Sequence, residues 1–278
     1  MPYTAEISRA NPGYFIILLD QSGSMNDPFG GEKQGSKADA LAAAINRILQ
    51  ELVIKCSKDV SVYRYFAVSI IGYGASVGPV LGGALAGQPL AWIDDIYANP
   101  LRVDEVNRKV SDGAGGLIET KVAMPIWFDP VANNGTPMAQ AFQFALTLAQ
   151  NWVAEHPASF PPIVINVTDG EPTDADPTPI AEKIKALQGQ DGNALVMNVH
   201  ASSSRAPANL FPADDAALPD QYAKMLFNMS SELPSGMRES ASDLGYKLNA
   251  GSRAFVFNSG LEDLIQFLII GTRPSTLR

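Results

Sequence analysis

The chain lacks most of the features that settle a protein's class early. Cys56 is its only cysteine, so no intrachain disulfide can form and no cysteine-rich zinc site exists. Its two histidines, His156 and His200, stand far apart, without a second His or Cys at ligand spacing. No apolar run approaches the roughly 18 residues that would span a bilayer, and the opening MPYTAEISRANPG has no apolar core of a secretion signal. A soluble, cytoplasmic protein with no membrane span is therefore expected. Basic residues are the minority, 20 Lys and Arg against 29 Asp and Glu, for a net charge of −9. That surface repels phosphate backbones, so nucleic acid is not an expected partner, whereas cations and basic proteins are compatible with it. No internal repeat, low-complexity tract or linker is visible.

What is present is a chain able to build a core. Of its 278 residues, 46% are hydrophobic and 18% charged, the balance of a globular protein. Phe15 to Leu19 runs without alternation into Asp20, the pattern of a strand buried on both faces. Ser36 with Asp39 three residues on predicts a capping box, and Leu41, Ala44, Ile45, Ile48, Leu49 and Leu52 continue at helical spacing to about Lys55. Val60 to Tyr73 reads as a strand. Gly78 to Pro130, punctuated by Gly and Pro, reads as an insertion of hairpin-like segments with a strand near Lys121 to Phe128.

Regular order returns at Asn133. Thr136 is a good N-cap and Pro137 suits the first helical position, ahead of a helix through Trp152. Ile163 to Val167 is a second uniformly apolar strand and ends in Thr168-Asp169-Gly170. Helix Pro179 to Leu187, strand Ala194 to His200, helices Asp220 to Ser231 and Gly236 to Leu248, strand Arg253 to Phe257 and helix Leu261 to Ile270 complete the pattern. Alternating strands and helices predict an α/β fold, a doubly wound and mostly parallel sheet flanked by helices. One domain over 1–278 is expected, with the insertion at about 78–130 and an elaborated region at about 201–251.

Three loops carry oxygen ligands. Asp20, Ser22 and Ser24 follow the first buried strand, Thr136 precedes a helix, and Asp169 ends another buried strand. In a parallel sheet the loops after strands emerge on one edge, where such folds bind ligands. Three hydroxyls and two carboxylates, with no His or Cys, disfavour zinc and favour Mg²⁺ or Mn²⁺.

Asp20-x-Ser22-x-Ser24, Thr136 within Gly-Thr-Pro, and Thr168-Asp169-Gly170 resemble the metal-ion-dependent adhesion site of von Willebrand factor A domains, in type and in order. The resemblance covers most of the chain and implies a Rossmann-like fold. It implies Ser22 and Ser24 as direct ligands of Mg²⁺, with Mn²⁺ or Ca²⁺ as substitutes. Thr136 binds directly or through water, and Asp20 and Asp169 bind directly or accept from metal-bound waters. It also implies a protein partner whose Glu or Asp completes the coordination. The overall appearance is closest to intracellular, stand-alone members such as the tellurium-resistance (TerY-like) group, which implies a kinase, phosphatase or ATPase system as the partner.

The function expected is thus a non-enzymatic, Mg-dependent adaptor or scaffold. The alternative is a metal-dependent hydrolase such as a phosphatase, with the cation as Lewis acid. Against it, there is no Asp-x-Asp pair at a strand end, no Gly-x4-Gly-Lys loop and no Gly-x-Ser-x-Gly elbow around Ser22. Other residues have plain roles. Glu171, Thr173, Asp174 and Asp176 read as a solvated loop, His156 as a helix-end residue, and His200 as structural. Met225, Met229 and Cys56 read as packing.

Overall fold

The computed structural model describes residues 3–28, 35–111, 117–202 and 206–258. The helix expected over Leu261 to Ile270 lies outside the described residues, as does part of the loop before Ser36. The apolar run before Asp20 forms β1 (Gly13–Asp20), buried along its whole length. The capping box is present: the Ser36 hydroxyl accepts from the Asp39 amide at 3.1 Å, and the Asp39 carboxylate accepts from the Ser36 amide at 2.9 Å. It opens α1 (Lys37–Cys56).

The single strand expected over Val60 to Tyr73 is divided. A tight hairpin of β2 (Ser57–Lys58) and β3 (Ser61–Val62) comes first, with Asp59 in a left-handed conformation at its turn (φ 56°). Arg64 then pairs outward with Asp94 at 2.8 Å. Pairing with β1 therefore begins only at Phe66, the first residue of β4 (Phe66–Tyr73).

The Gly- and Pro-rich region contains β5 (Val77–Pro79), β6 (Ala91–Trp92), α2 (Ile93–Ala98) and a long hairpin of β7 (Arg102–Ser111) and β8 (Leu117–Ile126). The strand expected near Lys121 to Phe128 is the second arm of that hairpin, shifted toward its start. Trp127 and Phe128 follow it into the core. Then come α3 (Met138–Glu155), β9 (Ile163–Thr168), α4 (Thr178–Lys185), a short hairpin of β10 (Gln188–Gly189) and β11 (Gly192–Asn193), and β12 (Leu195–His200). Last are β13 (Asn209–Leu210), α5 (Gln221–Met229), α6 (Ser235–Asp243) and β14 (Phe255–Phe257).

Among the described residues the main sheet has eight strands, in the order β13-β14-β12-β9-β1-β4-β5, with β6 also paired to β4. The β1–β4, β1–β9, β9–β12 and β12–β14 pairs are parallel, while β5, β6 and β13 join antiparallel at the margins. Among the described residues the β7–β8 hairpin pairs only with itself. The architecture is the doubly wound, mostly parallel, Rossmann-like α/β sheet that the alternation of elements predicts.

Alternation along β1 divides the core. Phe15, Ile17 and Leu19 pack with Leu41, Ile45 and Leu49 of α1, while Tyr14, Ile16 and Leu18 pack with Phe142 and Ala145 of α3 on the other face. Side chains of this size each contribute roughly 1.5–3 kcal/mol on full burial, so β1 is held firmly from both faces. Cys56 is buried and its thiol is pushed up to about 12 by desolvation, which makes it the inert packing residue expected. Met229 is buried and Met225 packs beside it on the α3 side of the sheet.

Candidate metal centre

β1 and β9 lie side by side in parallel, with Leu19 opposite Val167, so Asp20 and Thr168 finish level with each other. The Thr168 hydroxyl donates to Asp20 Oδ2 at 2.6 Å, and the Ser22 amide donates to Oδ1 at 2.8 Å. Asp20 is 1% exposed. Burial pushes its carboxyl above the usual carboxylate value; the Ser22 and Thr168 hydroxyls and the Ser22 amide pull it back, and the charge of Asp169 adds to the rise. Among the described residues no Lys, Arg or His forms an ion pair with Asp20.

Past Asp20 the chain makes a short 3₁₀ turn over Gly23–Asn26. This brings the Ser22 and Ser24 hydroxyls to 3.0 Å of each other. The loop carrying Thr136 docks onto it through two backbone bonds, Asn133 N–H to Gln21 O at 2.7 Å and Gly23 N–H to Asn134 O at 2.9 Å. Asn134 takes a left-handed φ of 60° to present that carbonyl, a conformation asparagine tolerates. Gly74 permits the approach: a Cβ there would stand 2.6 Å from Gln21 O and 3.0 Å from Asn133 O.

Thr136 is buried, and its backbone is clasped to the loop after β9. Its amide donates to Thr173 Oγ1 at 2.8 Å, and the Thr173 amide donates back to Thr136 O at 2.9 Å. Thr136 is not the cap of α3, contrary to expectation. The helix begins at Met138, with Pro137 at the cap position. The carboxylate of Asp174 caps it from across the site, accepting from the amides of Ala139 at 3.2 Å and Gln140 at 2.9 Å. Thr173 and Asp174 are exposed, as their reading as loop residues predicts, but they fasten the second and third loops together.

Asp169 is the last of the five residues and is held differently. Its Oδ2 accepts from the ammonium of Lys37 at 3.1 Å, with side-chain exposures of 9% and 1%. Its carbonyl accepts from His200 Nε2 at 2.9 Å, which makes Nε2 the protonated nitrogen, while His200 Nδ1 is buried without a partner among the described residues. Burial lowers the pKa of His200, and its ring stands edge-on to Phe257. The histidine is structural. Gly170, at φ +128°, leaves room for it: a Cβ would lie 2.7 Å from Nε2.

The structure thus places Asp20, Ser22, Ser24, Thr136 and Asp169 on three mutually bonded loops at one edge of the sheet. Their donors are hard oxygens, the kind Mg²⁺, Mn²⁺ and Ca²⁺ take. Among the described residues no group of three His, Cys, Asp or Glu assembles, since the edge supplies two carboxylates and otherwise hydroxyls. The donor set fits a hard divalent ion, and the desolvated Asp20, with neutral donors on both oxygens, lacks the counter-charge such an ion would supply. Sequence reasoning missed Lys37 altogether and did not assign Thr168 a role. A lysine at the first position of a helix, the end where the dipole disfavours a cation, was the available signal.

No protein-family model matches the chain, and no curated protein matches it significantly. Solved structures resemble it distantly. The manganese-loaded TRAP protein of Plasmodium vivax is 12% identical over 93% of this chain and 72% of that one, with a TM-score of 0.44. The pilus adhesin SpaC of Lactobacillus rhamnosus is 13% identical over 94% of this chain, TM-score 0.44, and the minor pilin PilB of Streptococcus sanguinis is 11% identical over 94%, TM-score 0.44. The chain spans 30% of the SpaC structure and 61% of the PilB structure.

Proposed function

We propose that the chain is a von Willebrand factor A-type interaction module that binds a protein partner through Mg²⁺ held at the edge formed by Asp20, Ser22, Ser24, Thr136 and Asp169. The observation that carries this is Asp20: a buried carboxylate whose oxygens are held by a hydroxyl and an amide, with no ion-pair partner among the described residues. Neutral hydroxyls at Ser22, Ser24 and Thr136 leave a bound cation with much of its charge uncompensated. The matching ligand is an acidic side chain, Glu or Asp, on the partner. Mn²⁺ and Ca²⁺ are substitutes of the same oxygen-seeking class.

The role is that of a cytoplasmic adaptor or scaffold and not of an enzyme. The histidine at this edge supports this, because its Nε2 is committed to the Asp169 carbonyl and its Nδ1 is buried away from solvent. Partner capture from native lysate is expected to be lost in EDTA and restored by Mg²⁺, and to be absent in the Ser22→Ala, Ser24→Ala double variant. Capture unaffected by either treatment sinks the proposal. Turnover of a phosphoester by purified protein, abolished in Asp20→Ala, would establish the hydrolase instead.

A further inference from the structure

Lys37 is not called for by a divalent site. Lysine is among the residues least often buried unless it is paired, and a cation at a helix N-terminus faces the positive end of the dipole. Lys37 carries both disadvantages, as the first residue of α1 with a side chain 1% exposed. Its ammonium is held by Asp169 Oδ2 at 3.1 Å. Its amide donates to Asp27 O at 2.9 Å, on the turn that follows Ser22-Gly23-Ser24. The residue therefore joins the loop after β1 to the loop after β9.

We infer that Lys37 is a tethered cation that competes with the divalent ion for Asp169 and sets the affinity of the site. The inference rests on the reading of this edge as a divalent site. A protonated ammonium has three donors and no acceptor, so it cannot serve as a ligand, and it occupies one of the two Asp169 oxygens open to the ion or its waters. Asp20 and Asp169 bring two negative charges and Lys37 one positive, so a divalent ion added beside an undisplaced Lys37 makes the cluster positive. In a desolvated site that excess is poorly screened. Loading is therefore coupled to withdrawal of the Lys37 amine, and through its backbone to the start of α1 and the turn at Asp27. In the absence of the ion, the same amine stays paired with Asp169.

The test is Mn²⁺ titration calorimetry on the full chain, its Lys37→Met and Lys37→Arg variants, and the Ser22→Ala, Ser24→Ala double variant as site control. Lys37→Met is expected to bind Mn²⁺ about tenfold tighter or more, equivalent to ~1.4 kcal/mol, and Lys37→Arg to stay close to wild type. Unchanged or weaker binding by Lys37→Met overturns the competition. It leaves the divalent site standing if wild type binds and the double-serine variant does not. Absence of Mn²⁺ binding by wild type and Lys37→Met alike overturns both. Should Lys37→Met not fold, wild-type protein suffices: acetylation of Lys37, read by mass spectrometry, is expected to rise about tenfold at saturating Mn²⁺ relative to EDTA, the affinity factor above. Labelling that stays at its EDTA level with Mn²⁺ bound also overturns the inference.

Discussion

The loops after β1 and β9 each bring one carboxylate to the same edge of the sheet and hold it in opposite ways. Asp20 accepts from a hydroxyl and an amide, neutral donors that orient it but leave its charge in place. Asp169 accepts from an ammonium that neutralises it. Asp20 is the more deeply buried, at 1% exposure against 9% for the Asp169 side chain, and the charge of the donor separates the two further. A buried carboxylate with neutral donors stores a demand for a cation, whereas one paired with lysine has that demand met from within the chain.

The largest way to break this contrast is to remove each carboxylate in turn and measure urea unfolding in EDTA. Asp169→Ala takes away the charge facing buried Lys37 and is expected to cost about 3–5 kcal/mol. Asp20→Asn removes a desolvated charge from a site with neutral donors, and its cost is expected to stay within about 1 kcal/mol or to turn into a gain. Equal losses in the two variants would erase the difference between the loops.

A smaller effect sharpens the β1 side alone. Thr168→Val keeps the shape of the side chain and deletes the 2.6 Å donor to Asp20. A destabilisation of about 1–3 kcal/mol in the urea midpoint is expected, because an acceptor inside the protein loses its partner. No change would mean that Ser22 alone satisfies the carboxylate.

The smallest effect is in pH. Burial raises the folded-state pKa of Asp20 above its ordinary 3.8, so between those two values the native chain holds a proton that the unfolded chain has released. The associated stability is complete below the unfolded value and is lost as pH rises through the folded one. In EDTA, the stability of wild type relative to Asp20→Asn is therefore expected to fall as pH is raised above about 3.8 and then to level off. A difference that is flat or grows over that range would show that the Asp20 carboxyl is not raised.

The parts of the fold legible in the sequence are those that short-range physics specifies. Phe15 to Leu19 had to be covered on both faces, and β1 is. Ser36 and Asp39 specify a capping box within four residues, and it forms with the expected bonds. The strand over Val60 to Tyr73 failed because β-branched and aromatic residues favour a strand without saying where pairing stops; Arg64 leaves for Asp94, a partner from another element. Thr136 and Pro137 have the chemistry of a helix start, yet Asp174, brought across by the Thr136–Thr173 clasp, takes the cap. Gly78 to Pro130 reads as hairpin-like from its glycines and prolines, but nothing in that composition tells that β5 and β6 extend the main sheet while β7 and β8 pair with each other.

The sequence alone determined the oxygen-only inventory of the edge, the strands that carry Asp20 and Asp169, and the layered α/β architecture, because periodicity and residue chemistry are local properties. Only the tertiary structure decided how each carboxylate is held. The hydroxyl on Asp20 comes from 148 residues away and the ammonium on Asp169 from 132. Contacts at that separation depend on which elements lie side by side: parallel packing of β1 against β9 sets the first, and the seating of α1 beside them sets the second.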